Sequence, residues 1–114
     1  MPRMARPVVG IYASFAPASW GPWVDRPSVV APAALGEAVH RAGAMAVLLT
    51  PGAAPERDEL LAMLHALVVF GDAEGLDDLL AAAHARELGV LVLDAATPPS
   101  TDDVARELAS LLEA

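Results

Sequence analysis

Two carboxylates stand where apolar segments of this chain end. Asp72 follows Leu67–Phe70 after one glycine, and Asp94 follows Val90–Leu93 directly. If both segments are strands of one parallel sheet, their carboxyl ends share an edge, so the two carboxylates should lie close together. Adjacent carboxylates raise the pKa of one of them, which suits binding of a cationic amine or general acid–base catalysis. The alternative, which we favour, is that each carboxylate caps the turn after its strand.

An aromatic, proline-rich segment precedes these carboxylates in the chain. Residues 15–32 contain four prolines and both tryptophans, Trp20 and Trp23. Proline fixes φ and lacks an N–H donor, so we predict a long loop rather than a helix or a central strand. The tryptophans could cover a ligand pocket, or they could simply cover one end of the sheet. The candidate ligand-binding residues are therefore Tyr12, Trp20, Trp23, Asp25, Gly71, Asp72 and Asp94.

Other residue types limit the chemistry further. The chain has no cysteine, which excludes disulfides, a thiolate nucleophile and a cysteine-based zinc site. His40, His65 and His84 fall on three different predicted helices without a His-x-x-x-His pair, so we interpret them as structural or solvated. No glycine-rich phosphate-binding motif and no Gly-x-Ser-x-Gly sequence is present. We therefore expect no metal site and no cofactor.

Length, composition and charge indicate the class of protein. At 114 residues, 55% of them hydrophobic, the chain fits a single domain, residues 1–114, with a packed core. The formal net charge is −8, and all seven basic residues are arginines. An acidic chain without a basic stripe should repel nucleic acids and anionic membranes. The chain has neither an apolar run of about 18 residues nor a signal peptide pattern, and we expect a cytoplasmic protein.

Short apolar runs alternate with helical periodicities along the chain. Strands are predicted at 7–14, 45–50, 66–70 and 90–93, and helices at 33–42, 55–65, 76–88 and 100–112. Gly43 and Gly89 are predicted to follow the first and third helices, and Ser100 or Thr101 to cap the last one. The alternation predicts an α/β fold, a flavodoxin-like three-layer sandwich around a four-stranded parallel sheet of strand order 2-1-3-4.

Several segments agree in order and spacing with one known family. They are RPVVGI at 6–11, WGPW at 20–23, EAVHRAG at 37–43, AVLL at 46–49 and LVVFG at 67–71. Together they resemble the class I glutamine amidotransferase-like proteins, and most of all the gamma-glutamyl-gamma-aminobutyrate hydrolases. The resemblance covers residues 6–94 and implies about half of a family domain. That family hydrolyses gamma-glutamyl amides through a Cys-His-Glu triad, with the cysteine on a tight Gly-x-Cys-x-Gly turn.

The chain departs from this family at the residues that carry the chemistry. The place of the cysteine falls on Asp94, the flanking glycines become Val92 and Ala96, and Asp72 occupies a glycine position of the oxyanion loop. A carboxylate is a poor nucleophile towards an amide, and an acid beside a developing oxyanion opposes its stabilisation. The family's catalytic His and Glu lie in a second half that these residues lack.

The resemblance therefore implies a protein that does not hydrolyse amides. We expect a homodimer or an accessory subunit, because surface that the missing half would cover should be apolar and exposed. One alternative is a small enzyme of amine or natural-product metabolism that uses Asp72 and Asp94 beneath the tryptophan loop. Another is a module that binds a small amine or a gamma-glutamyl compound without reaction.

Overall fold

A computed structural model describes residues 6–13, 15–49, 54–70, 76–93 and 100–113, and for residues 15, 16, 54–56 and 76 it describes the backbone alone. The chain forms six strands and four helices in these ranges. They are β1 (Val8–Ala13), β2 (Phe15–Trp20), β3 (Trp23–Val29), α1 (Ala33–Arg41), β4 (Met45–Leu49), α2 (Ala54–Met63), β5 (Ala66–Phe70), α3 (Leu76–Ala85), β6 (Gly89–Leu93) and α4 (Thr101–Glu113).

Four of the strands form one parallel sheet in the order β4-β1-β5-β6. Counted in chain order among themselves, these four strands stand in the order 2-1-3-4. Their registers are continuous, with Gly10 of β1 opposite Val47 of β4 on one side and Leu67 of β5 on the other. Strands β1 and β5 are central and almost entirely apolar, as strands buried on both faces must be. The sheet with its flanking helices is consistent with a flavodoxin-like fold.

Helices α1 and α4 cover one face of this sheet. Their buried residues pack against alternate residues of the central strands, because successive side chains of a strand point to opposite faces. The cluster comprises Val9, Ile11, Leu35, Ala38, Val39, Ala44, Ala66, Val68, Val104 and Leu108. Across the rim of this layer, Arg41 of α1 bonds to both Glu37 and Asp102, and Asp102 lies on α4.

Helices α2 and α3 cover the opposite face. Here the buried cluster comprises Tyr12, Leu49, Leu61, Leu67, Val69, Leu79 and Ala83. Gly10 lies beneath this layer, and a Cβ atom there would come within 2.7 Å of Leu64 Cδ1 and 2.9 Å of Leu49 Cδ1. The absence of a side chain at Gly10 thus lets Leu64 lie directly on β1.

The C-terminal ends of α1 and α3 have the same hydrogen-bond pattern with different residues. After α1, Gly43 has φ +86°, its N–H donates to His40, and Ala44 N–H donates to Val39. These two bonds define a Schellman motif with glycine at the left-handed position, as predicted for Gly43.

After α3 the left-handed residue is Glu87, at φ +57°. Its N–H donates to His84, and Leu88 N–H donates to Ala83. The prediction that Gly89 fills this position is therefore wrong, since Gly89 is the first residue of β6. Gly89 has a different role, because a Cβ atom on it would come within 3.2 Å of Leu111 on α4.

Residues 15–29 form a β-hairpin, so the prediction of a long irregular loop is wrong. Strands β2 and β3 pair antiparallel with Phe15 opposite Val29 and with Pro17 opposite Pro27. Proline is excluded only where its N–H would have to bond inward, and both strands of a two-stranded ribbon have an open outer edge. Within the described residues, the hairpin strands contact each other far more than any other element.

Among the described residues, none of the helices is long and apolar enough to cross a lipid bilayer.

Candidate functional site

The predicted site residues divide into two groups. Gly71, Asp72 and Asp94 lie outside the described residues, so their predicted proximity stays a prediction. The structure describes the other four candidates, which are Tyr12, Trp20, Trp23 and Asp25, and these do not form one cluster.

Tyr12 lies in the core layer beneath α2 and α3. It is the next-to-last residue of β1, close to the carboxyl edge of the sheet, and only 7% of its surface is exposed. Its neighbours in the packed cluster include Leu49 and Leu61. Tyr12 therefore contributes to core packing near the carboxyl edge of the sheet.

Trp20 and Trp23 form an aromatic pair at the tip of the hairpin. They end β2 and begin β3 around a two-residue turn, and their ring centroids are 6.1 Å apart with planes inclined by 24°. The guanidinium carbon of Arg26 lies 5.0 Å from the Trp23 ring centroid, within range of a cation–π contact. Both tryptophans remain about half exposed, at 54% and 47%, and belong to neither core cluster. They thus present an aromatic surface at the hairpin tip.

The turn between them follows from its two residues. Gly21 has φ +54°, which glycine adopts without steric cost, and Pro22 has its φ fixed near −65° by its ring. A positive φ followed by a negative φ is the requirement of a type II′ turn, which matches the twist of a hairpin.

Asp25 occupies an irregularity of the same hairpin. The pairing shifts between Ala18 and Trp20, so that Ser19 faces two residues of β3. Asp25 sits in this bulge at φ +47°, and its N–H donates to Ser19 Oγ at 2.9 Å. Its side chain is exposed, so Asp25 is a bulge residue of the ribbon.

The histidines do not converge. His40 and His84 lie on α1 and α3, both exposed, whereas His65 lies between α2 and β5. The prediction that His65 belongs to a helix is therefore wrong. In the part of the chain that the structure describes, no three His, Asp or Glu side chains are grouped as metal ligands would be.

One polar group of α2 was not anticipated from the sequence. Arg57 is the fourth residue of α2, which begins shortly after the carboxyl end of β4. Its Nε atom is buried and has no hydrogen-bond partner among the described residues. A buried N–H without a partner is unfavourable, and an anionic oxygen would satisfy it. The sequence signal for Arg57 was weak, because a basic residue in a helix that starts with acids usually pairs with its neighbours.

The most exposed apolar element of the sheet is β4, which stands at its edge. Met45, Val47 and Leu48 are 51%, 39% and 49% exposed, and Ala46 is exposed as well. On the adjacent helix α2, Leu60 and Met63 are also exposed. Four successive exposed apolar residues on an edge strand are unusual, because such an edge is open to pairing with another chain.

Comparison with the models of known protein families, with characterised proteins and with solved structures gave no significant match to this chain.

Proposed function

We propose that this chain is a non-hydrolytic, degenerate relative of the class I glutamine amidotransferases that functions by association. In this proposal it corresponds to about half of a family domain and acts as a homodimer or as an accessory subunit in the cytoplasm. The observation that carries the proposal is the open apolar edge of β4, with Met45, Val47 and Leu48 each at least 39% exposed.

Exposure of this surface is energetically unfavourable for an isolated chain. Apolar surface gains roughly 25 cal/mol for each Å² removed from water, and a contiguous apolar patch usually marks an interface. The edge also carries backbone groups that a further strand would satisfy. A partner that covers β4 therefore gains from both effects.

The chemistry of the chain supports a role without amide hydrolysis. The proposed relatives use a thiolate, and this chain has no cysteine. Asp94, which takes that place in the sequence resemblance, would be a weak nucleophile towards an amide. The purified protein should therefore release no glutamate from gamma-glutamyl amides, and release at a rate above the uncatalysed one would contradict the proposal.

Light scattering coupled to size-exclusion chromatography tests the association directly. The measurement should cover a wide range of protein concentrations, since a small interface gives a reversible dimer. A mass of twice 11.8 kDa, or a stoichiometric complex isolated from the native source, supports the proposal. A monomer at every concentration, with no stoichiometric partner from the native source, overturns it.

A second candidate function is binding of a zwitterionic gamma-glutamyl compound at the carboxyl edge of the sheet. The specific observation in its favour is the buried Arg57 Nε without a described partner. The guanidinium would take the carboxylate of the ligand, and Asp72 and Asp94 would take its ammonium group. This is the same pocket in which an acid–base enzyme would use the two aspartates.

Calorimetry with gamma-glutamyl compounds and polyamines tests whether this pocket binds a ligand, and activity measurements on variants test whether it also catalyses a reaction. Arg57→Met keeps most of the side-chain volume and should abolish binding of a gamma-glutamyl ligand while leaving the thermal midpoint unchanged or higher. Asp94→Asn should abolish turnover if the site is catalytic. Absence of any binding to the wild-type protein rejects this second candidate and leaves the association proposal intact.

A further inference from the structure

The main sheet has two edge strands, β4 and β6. Among the described residues, only β4 has four exposed residues in succession. Its sequence, Met45–Leu49, contains no charge, no proline and no glycine. The opposite edge, β6, is largely covered: Leu111 of α4 lies over Gly89, and within β6 only Val92 is exposed, at 58%. The hairpin strands carry Pro17 and Pro27, which limit pairing along their edges. Edge β4 therefore lacks the features that block strand addition.

The backbone bonds of β4 define which groups face outward. Met45 N–H donates inward to Pro7 O at 2.8 Å, and β4 continues in parallel register with β1. Because successive residues of a strand alternate the direction of their N–H and C=O groups, Val47 and Leu49 also bond towards β1. The N–H and C=O groups of Ala46 and Leu48 then point away from the sheet.

We propose that two copies of the chain pair through β4 in antiparallel register about a two-fold axis at Val47. This inference rests on the proposed function and names its partner, a second copy, and its interface. Ala46 of one copy faces Leu48 of the other, and each such pair exchanges two hydrogen bonds. The two-fold axis repeats the pair, so four hydrogen bonds join two four-stranded sheets into one sheet of eight strands.

The side chains fit this register. Val47 faces its copy as a non-hydrogen-bonded pair, the arrangement with the closer side chains, and β-branched residues pack well there. Met45 faces Leu49 of the partner copy, so no charged residue stands opposite another.

The distribution of charge also favours this edge for self-association. Residues 1–53, which include β4, carry four arginines and two acidic residues, whereas residues 54–114 carry three arginines and thirteen acidic residues. Strand β4 itself carries no charged residue, so pairing through this edge brings no like charges of the strand together. Residual repulsion between copies of net charge −8 should make the dimer tighter as salt increases.

A single cysteine provides a sharp test, because the natural chain has none. Non-hydrogen-bonded antiparallel pairs place Cα atoms about 4.5 Å apart, within the range of disulfides. Val47→Cys should therefore form a disulfide-linked dimer under mild oxidation, at protein concentrations where Val92→Cys on the opposite edge does not. Val47→Lys, at an exposed site where the monomer tolerates a charge, should raise the dimer dissociation constant by about tenfold or more, whereas Val92→Lys should not.

The outcomes separate the interface from the proposed function. A dimer that crosslinks at position 47 and weakens with Val47→Lys supports the inference. A dimer insensitive to both variants, or a complex with a different protein and no homodimer, overturns this interface and leaves the proposed function standing. A monomer with no stoichiometric partner overturns both. Should Val47→Lys fail to fold, crosslinking of Val47→Cys decides the matter by itself.

Discussion

His65 bonds to both backbone groups of Val8. The N–H of Val8 donates to the imidazole Nδ1 of His65 at 2.9 Å, and the N–H of His65 donates to the carbonyl of Val8 at 2.7 Å. The first bond requires Nδ1 to be unprotonated, so the imidazole proton lies on Nε2. These contacts fix the start of β1 to the residue before β5 and thereby set the register of the two central strands.

Replacement of His65 measures the first of these bonds. His65→Ala should lower the free energy of unfolding by about 1 kcal/mol, because the Val8 N–H loses its acceptor. His65→Asn is the matched control, since the asparagine Oδ1 stands where Nδ1 stood and can accept the same bond. Urea unfolding of both variants gives the comparison. Equal losses for the two would mean that ring packing, and not the acceptor atom, matters at this position.

The two Schellman motifs predict opposite effects of glycine. Glu87 adopts a left-handed conformation that disfavours residues with a Cβ atom, so Glu87→Gly should stabilise the protein by about 1 kcal/mol. Gly43→Ala places a Cβ in the equivalent position after α1 and should destabilise it by a similar amount. Thermal unfolding of the two variants is sufficient. A stabilising Gly43→Ala variant would contradict the motif assignment.

The structure shows which of two hydroxyl residues, Ser100 or Thr101, caps the N-terminus of α4. Ser100 Oγ accepts a bond from Asp103 N–H at 3.4 Å, which makes Ser100 the N-cap. Ser100→Ala should therefore cost about 1 kcal/mol of stability, whereas Thr101→Ala, the first residue inside the helix, should cost less. Chemical denaturation of both variants measures the difference. If Thr101→Ala is the more damaging change, Ser100 is not the cap in solution.

The stacked tryptophans should have a spectroscopic signature. Two indoles with centroids 6.1 Å apart couple their transitions, so the far-ultraviolet circular dichroism spectrum should show an exciton couplet. Trp20→Phe should remove the couplet while changing the thermal midpoint little, because the ring is exposed and outside both core clusters. Trp23→Phe should have the same spectral effect. A couplet that persists in either single variant would show that the rings do not stack.

The strands of the main sheet could be predicted from the sequence for a simple physical reason. Strands such as Ala66–Phe70 are buried on both faces, so every position must be apolar and the run is visible without any knowledge of neighbours. Gly43 was likewise correctly placed, because a glycine after a helical stripe marks a left-handed residue. Glu87 gave no such signal, since glutamate avoids that conformation and Gly89 stood two residues away.

The hairpin and the candidate site were harder to predict from the sequence, for different reasons. Pro17 and Pro27 suggested a loop, and only the pairing of one proline with the other shows that both fit the ribbon. The Gly-Pro pair between the two tryptophans indicated a tight turn. Hydrophobic periodicity could not detect it, because the flanking strands do not show a regular apolar pattern. Tyr12 was correctly placed within a strand, yet its burial depends on α2 and α3, which are distant in sequence.

The hairpin of residues 15–29 should unfold before the rest of the molecule. Two-stranded ribbons are marginal by themselves, and this one gains little from the rest of the chain. Its amide protons should exchange with solvent through a local opening that leaves the parallel sheet intact. A variant in which a short turn joins Ala13 to Ala31, and which therefore lacks the hairpin and its two tryptophans, should still fold.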